Sequence, residues 1–158
     1  MAATMFTPFE PKATNRFIFY IDGIEAYIIK ATGLPEIDNG EIVIDYINVD
    51  LKVKGKSRWQ DITVTLYDPI DPTGAKMVHE WIEKTHKSTD GVDGFAFTDY
   101  KKNVDIVYVD PKGAEFSGWV LYGAFIGTSN WGSLDWSTDD ALTIELTLKY
   151  DYAKLIGG

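Results

Sequence analysis

The side chains best suited to acid–base or metal chemistry in this chain are its two histidines, His79 and His86. They are seven residues apart in a segment with helical periodicity, which separates them by about 10.5 Å along the helix axis. Because a metal ion holds its histidine ligands at about 2 Å, this pair cannot share one ion. We interpret both histidines as residues of a helix surface.

Carboxylates are the other possible source of chemistry. The 24 Asp and Glu residues outnumber the 15 Lys and Arg residues, which gives the chain a formal net charge of −9. The segment 90–94, Asp-Gly-Val-Asp-Gly, lacks the alternating oxygen ligands of an EF-hand loop and is interpreted as a turn-rich loop. Asp135, Asp139 and Asp140 are also loosely spaced. With so many acids, chance carboxylate pairs are unavoidable, so a metal-dependent or glycoside hydrolase stays an alternative.

Catalytic signatures of other kinds are missing from the sequence. There is no cysteine, which excludes thiol catalysis, thiolate metal sites and disulfides. There is no nucleophile elbow, phosphate-binding loop, dinucleotide fingerprint or zinc-protease motif. We therefore expect a protein that is not an enzyme and needs no metal or cofactor. Trp131 and Trp136 could stack on sugars, so a carbohydrate-binding β-sandwich is a second alternative.

Charge and hydropathy limit the possible partners. An acidic chain is a poor DNA clamp, since such binding depends on Lys and Arg neutralising phosphates. An acidic surface would instead repel nucleic acid and leave it mobile. No apolar stretch approaches the roughly 20 residues that span a bilayer, and residues 1–14 show no signal peptide. We expect a soluble protein that is made in a cytoplasm and does not insert into membranes.

Alternating polarity predicts that most of the chain is β-strand. Asp22-Gly23 predicts a hairpin between strands 16–22 and 24–31, and strands 104–109 and 115–126 form a second predicted hairpin. Helical spacing predicts one helix over residues 73–86, and residues 1–14 are interpreted as an arm. The predicted fold is mainly β, a single domain of residues 1–158: an antiparallel sandwich or partly open barrel with one packed helix.

The alternation of apolar and polar residues in segment 41–58 changes phase midway. Ile42 and Ile44 are apolar at even positions, but Val49 and Leu51 are apolar at odd ones, which requires a bulge or turn near residues 46–48. This predicts a projecting hairpin. Beyond the turn, strand parity places four basic residues on one face: Lys52, Lys54, Lys56 and Arg58. This face is either an interface with other subunits or a solvated face.

Two strands indicate that the chain needs a partner. Residues 115–126 are apolar on both faces, with Trp119, Leu121 and Phe125 on one of them. This strand is either central and covered by the helix, or part of a subunit interface. The last predicted strand, residues 142–152, is long and regular and is expected to have an open edge that invites pairing with another chain.

Several segments resemble a known family through their order and spacing. They are residues 30–35 (KATGLP), 59–66 (WQDITVTL), 100–102 (YKK), 134–136 (LDW) and 142–152. Together they resemble the tail tube proteins of contractile-tailed bacteriophages of the myovirus type. The resemblance to tube subunits of contractile injection systems is more distant, and such a phage-like system is an alternative setting.

The resemblance implies hexameric rings that stack into the inner tube of a contractile tail. The inner sheets of six subunits would join into one large β-barrel, which DNA crosses during ejection without specific binding. Implied partners are further copies, sheath subunits, and baseplate and tail terminator proteins, in a virion tail assembled in the host cytoplasm. Strand parity would place these residues on the lumen wall: Asp61, Thr63, Thr65, Thr143, Glu145 and Thr147. Subunit or ring contacts are expected from Lys52, Lys54, Lys56, Arg58, Trp119, Leu121 and Phe125.

Overall fold

The computed structural model of the chain describes residues 8–71, 74–88, 90–91 and 96–157. Strands account for most of the regular structure in these residues, accompanied by one three-turn helix and two short helical segments. The strands are β1 (Phe17–Ile21), β2 (Ile29–Thr32), β3 (Glu36–Asp45), β4 (Asp50–Gln60), β5 (Ile62–Tyr67), β6 (Lys102–Val109), β7 (Glu115–Asn130), β8 (Thr143–Lys149) and β9 (Tyr152–Gly157). The helices are α1 (Gly74–Glu83) and α2 (Phe97–Tyr100), and Ala26–Ile28 form a 3-10 turn.

All ladders are antiparallel, and two sheets share the long strand β7. We call the first the β6 sheet: β1, β6, the first part of β7, and β9. The second, the β8 sheet, is formed by β2, β5, β8 and the last part of β7. This architecture confirms the predicted mainly antiparallel β fold with one packed helix.

The core follows from strict alternation in β5 and β8. Three cross-strand pairs bring six large aliphatic side chains together at 0–3% exposure. Each such side chain contributes about 1.5–3 kcal/mol when it is buried. The pairs are Ile62–Leu148, Val64–Leu146 and Leu66–Ile144.

Helix α1 covers this core with Val78 and Trp81, which are 0% and 2% exposed. The indole N–H of Trp81 donates to the Tyr100 carbonyl over 2.6 Å, so the buried polar atom is satisfied. The helix predicted over residues 73–86 is confirmed for Gly74–Glu83, while residue 73 lies outside the described residues.

Strand β7 contains a bulge that the sequence pattern did not reveal. The register with β6 shifts between the pairs Val104–Leu121 and Lys102–Ala124, which leaves one extra residue on β7. Gly123 lies in this bulge with a φ of +68°, a backbone conformation that favours glycine. The extra residue shifts the alternation of side chains along β7 by one position. Leu121 before the bulge and Ala124 after it therefore both face the core.

The predicted hairpin at Asp22-Gly23 is wrong. Beyond a single bridge between Ile21 and Ile24, β1 and β2 enter different sheets, where β1 pairs with β6 and β2 pairs with β5. The 3-10 turn between them buries Ile28, at 2% exposure, and redirects the chain. Burial of this side chain outweighs the local preference for a tight hairpin.

The prediction of one open-edged last strand over residues 142–152 is also wrong. The chain breaks at Tyr150–Asp151 into β8 and β9. Strand β8 is central, hydrogen-bonded to β5 on one side and β7 on the other. Of these two strands, β9 has the open edge, since it pairs with β7 alone within the described part of the chain.

Candidate assembly surfaces

Strands β3 and β4 form a hairpin that projects from the β8 sheet. Its ladder runs from Glu36–Gln60 to Asp45–Asp50, and Tyr46 N donates to the Val49 carbonyl over 3.0 Å at the turn. This turn confirms the change of phase predicted near residues 46–48. In the described residues, β3 and β4 have no other strand partner. A lone two-stranded ribbon is at best marginally stable in water, so this hairpin gains from contact with another surface.

One face of the hairpin is apolar and uncovered. The cross-strand pairs Ile42–Val53 and Ile44–Leu51 share that face. Their side chains are 42–55% exposed. Exposed apolar side chains that adjoin one another in this way mark interaction sites in soluble proteins. We call this surface, Ile42, Ile44, Leu51 and Val53, the apolar hairpin face.

The four basic residues of β4 do not share one face, contrary to the prediction. A register shift places both Gly55 and Lys56 opposite Gly40, which changes the phase of β4. Lys52 and Lys54 therefore share a face with Glu41 and Val43, whereas Arg58 pairs with Asp38 on the other face. The assignment of these residues to subunit contacts stays a prediction.

The six residues predicted for a lumen wall come together at one surface of the β8 sheet. Opposite the core, Thr63 pairs with Thr147 and Thr65 with Glu145, while Thr143 pairs with Tyr67. Asp61 precedes β5, and its carboxylate lies 3.3 Å from Lys149 Nζ. We call this surface, with Thr63, Thr65, Thr143, Glu145 and Thr147 at its centre, the threonine face.

Sequence reasoning missed two members of the threonine face. Thr128 pairs with Thr147, and Asn130 pairs with Glu145, so the last part of β7 extends the surface. Residues 127–130, Gly-Thr-Ser-Asn, show no alternation of polar and apolar residues, so no strand signal was available there and the predicted strand ended at Ile126.

Charges on the threonine face are nearly balanced. Asp61 and Lys149 form a half-exposed pair, and Glu145 adds one carboxylate. Lys30 Nζ lies 5.7 Å from the centre of the Tyr67 ring at the margin of the face. Hydroxyl groups therefore dominate this surface, which is much less acidic than the net charge of −9 suggests.

The two outer strands of the β8 sheet are β2 and the last part of β7. β5 lies antiparallel to β2, β8 to β5, and β7 to β8, so the two outer strands run in opposite directions. Along the described chain, no strand pairs with the second side of β2 or of residues 125–130. Both outer strands therefore offer backbone groups to another chain.

The predicted contact residues of β7 have different positions in the structure. Leu121 is 0% exposed in the chain's own core, so its prediction as a subunit contact is wrong. Trp119 is partly buried against the same core. Phe125 is partly exposed and meets the Tyr100 ring edge-on, with 5.7 Å between ring centres. For Trp119 and Phe125, subunit contact stays a prediction.

Replacing Leu121 with alanine tests this assignment. A buried Leu→Ala change costs about 2–5 kcal/mol through lost transfer energy and the cavity left behind. We expect the free energy of unfolding to fall by this amount in urea titrations of the chain. The matched variant Leu155→Ala, at a position of β9 that is 53% exposed, should cost about 1 kcal/mol or less. Equal losses for both variants would contradict the core assignment of Leu121.

Among the described residues, no group of three or more His, Asp or Glu side chains is placed to hold a metal ion. Segment 90–94 lies largely outside those residues. Asp135 instead accepts hydrogen bonds from Ser137. Within the same residues, no helix is long and apolar enough to cross a membrane.

Comparison with known proteins gives matches by structure alone. No protein-family model and no curated protein sequence matches the chain. A chain of the anti-feeding prophage cap, the AFP tube-terminating cap, superimposes with a TM-score of 0.77 and 18% identity. The match covers 98% of this chain and 97% of that one.

Two further solved structures extend this similarity. A chain of the PVC sheath–tube complex of an extracellular contractile injection system has a TM-score of 0.75 and 21% identity, covering 94% of this chain and 93% of that chain. The SPP1 tail tube has a TM-score of 0.59 and 14% identity, with 94% and 80% covered. The chain thus has the fold of proteins found in a tube-terminating cap, a sheath–tube complex and a tail tube.

Proposed function

We propose that the chain is a structural subunit of the inner tube of a contractile tail. The observation that carries the proposal is the apolar hairpin face, whose four side chains are 42–55% exposed in a single copy. A second copy that covers this face would remove apolar surface from water at about 25 cal/mol per Å². The fold shared with tube and cap proteins supports the same role.

The open edges of the β8 sheet suggest how copies join into a ring. Residues 125–130 of one chain would pair with β2 of the next chain. Because these strands run in opposite directions, identical orientation of every chain makes each new ladder antiparallel, like those within the chain. Such head-to-tail contacts form a closed ring when the rotation between copies closes. We propose closure at six copies, which would join the β8 sheets into one barrel without open edges.

In this ring the threonine face would line the lumen. A wall of hydroxyl groups with nearly balanced charge offers few fixed cations to hold phosphates, so DNA could pass without binding. We propose DNA ejection as the role in a bacteriophage tail, assembled in the host cytoplasm. Sheath subunits, the baseplate and a tail terminator would be the partners outside the ring.

The lumen assignment can be tested with one engineered thiol, because the chain has no cysteine of its own. In Thr147→Cys, the thiol would lie on the inner wall of assembled rods. We expect a large maleimide-coupled polymer to label it at least tenfold more slowly in rods than in unassembled chain, while a small maleimide labels both. Equal labelling by the large reagent would place this face on the outside.

A contractile injection system is a second setting that the structure favours. Its tube would use the same surfaces but carry a different cargo. The high coverage of the sheath–tube and tube-cap chains supports this alternative. Purification of intact particles from the producing cells would separate the two: particles with DNA-filled heads indicate a bacteriophage tail, and particles without heads indicate an injection system.

Electron microscopy of the purified chain tests the proposed function. We expect negative staining to show rings with a central hole, and rods of the same width at higher protein concentration. Particles that stay small and lack a hole at every concentration would contradict a tube subunit. A carbohydrate-binding module would give such particles and would bind glycans in a manner sensitive to Trp131→Ala.

A further inference from the structure

The loop between β7 and β8, residues 131–142, holds two large apolar side chains in water. Trp136 is 106% exposed and Leu134 is 88% exposed. Their exposure contrasts with Trp81, which is 2% exposed under helix α1. Tryptophan is enriched among the side chains that dominate protein–protein binding, so its display on a loop is typical of a contact site.

Local hydrogen bonds shape two turns of the loop, one of them around Trp136. The Asp135 carboxylate accepts from the backbone N–H of Ser137 at 3.0 Å and from its hydroxyl at 2.8 Å. The backbone bond is the larger cause and the hydroxyl bond the smaller one of a pKa of Asp135 below its usual value. Gly132 N donates to the Asn130 side chain over 3.0 Å. Restraint of the turn around Trp136 reduces the entropy that this turn loses on binding.

The strand registers place this loop and the projecting hairpin at opposite ends of the β8 sheet. Where β5 begins, Ile62 pairs with Leu148, and the hairpin ends immediately before it. Where β5 ends, Tyr67 pairs with Thr143, which follows the loop. When rings stack in one orientation, the hairpin end of each chain therefore faces the loop end of a chain in the next ring.

We propose that Trp136 and Leu134 of one chain dock on the apolar hairpin face of a second copy in the next ring. This inference rests on the proposed function and names the contact that joins rings into a tube. In this contact, the exposed side chains of the loop and the apolar hairpin face cover each other.

Substitutions at Trp136 separate ring stacking from ring formation. Because the side chain is fully exposed, Trp136→Ala should leave the thermal midpoint of unfolding unchanged. We expect it to keep rings but raise by roughly 30-fold the protein concentration needed for rods, as for a truncated hot spot. The matched variant Trp136→Phe should recover most rod growth. Undiminished rods from Trp136→Ala would overturn the contact while leaving the proposed function intact.

A cysteine cross-link tests the same contact by position. The double variant Ser133→Cys with Leu51→Cys, which keeps Trp136 and Leu134, should form an intermolecular disulfide in rods under oxidation and give a series of cross-linked species on a non-reducing gel. The control pair Ser133→Cys with Thr147→Cys should give none. Cross-linked species from isolated rings would place the contact within one ring, and cross-linked species from the control pair alone would overturn the contact. If the unmodified chain forms neither rings nor rods, the proposed function itself fails.

Discussion

Replacing Ile44 with aspartate is expected to abolish rod formation while the chain stays folded. Ile44 lies in the apolar hairpin face, 42% exposed and opposite Leu51. A carboxylate in a contact that excludes water must lose its hydration without a partner, which opposes association strongly. We expect the concentration at which rods appear, measured by light scattering and electron microscopy, to rise about 100-fold or more.

Val43→Asp is the matched control for this variant. Val43 is the preceding residue, is 44% exposed, and lies on the other face of the hairpin opposite Lys52. A carboxylate there remains in water and gains a cross-strand cation. Its rods should form at nearly the original concentration. If both variants assemble as the original chain does, the apolar hairpin face is not an assembly contact.

Replacing Gly118 with alanine is expected to destabilise the β6 sheet strongly. Gly118 pairs with Val107 on one side and Ile156 on the other, in the first part of β7. An added Cβ would overlap the carbonyl oxygen of Ile106 and lie 2.9 Å from the Cα of Val107. These are backbone atoms of a paired strand, which cannot move away as a flexible side chain could.

The expected loss for Gly118→Ala is about 3 kcal/mol or more in the free energy of unfolding. For a domain of this size, the thermal midpoint should fall by roughly 6–12 °C in circular dichroism. Gly33→Ala is the control, because its Cβ would meet Ile62 and Thr63 only at ordinary distances of 3.7 Å. Similar midpoints for both variants would contradict the close approach of β6 and β7.

Local patterns predicted the elements whose partners are near in sequence. The helix over Gly74–Glu83 and the hairpin of β6 and β7 are confirmed, because a helical stripe and a short turn act between neighbours. The polar alternation of β5 and β8 also predicted correctly which side chains avoid the core. In each case burial on one face of the element imposes the pattern.

Distant pairing and bulges explain what the sequence pattern did not predict. The bulges opposite Gly40 and at Gly123 each change the phase of a strand, which separated Arg58 from Lys52 and Phe125 from Leu121. Glycine within a strand is a known mark of a bulge, so Gly55 and Gly123 were the available signals. The separation of β1 from β2 depends on pairing with β6 and β5, far along the chain.

The proposed assembly requires that a single copy leaves surfaces uncovered and that further copies cover them. Native mass spectrometry of the full chain at rising concentration is the most direct test of this requirement. The open edges of the β8 sheet predict a 17.7 kDa chain at high dilution and, above a threshold, a particle of six copies. Ile44→Asp should still reach the mass of six copies but form no larger assembly, because it changes the hairpin face and leaves the sheet edges intact. A single-chain mass for the unmodified protein at every concentration would contradict assembly through these surfaces.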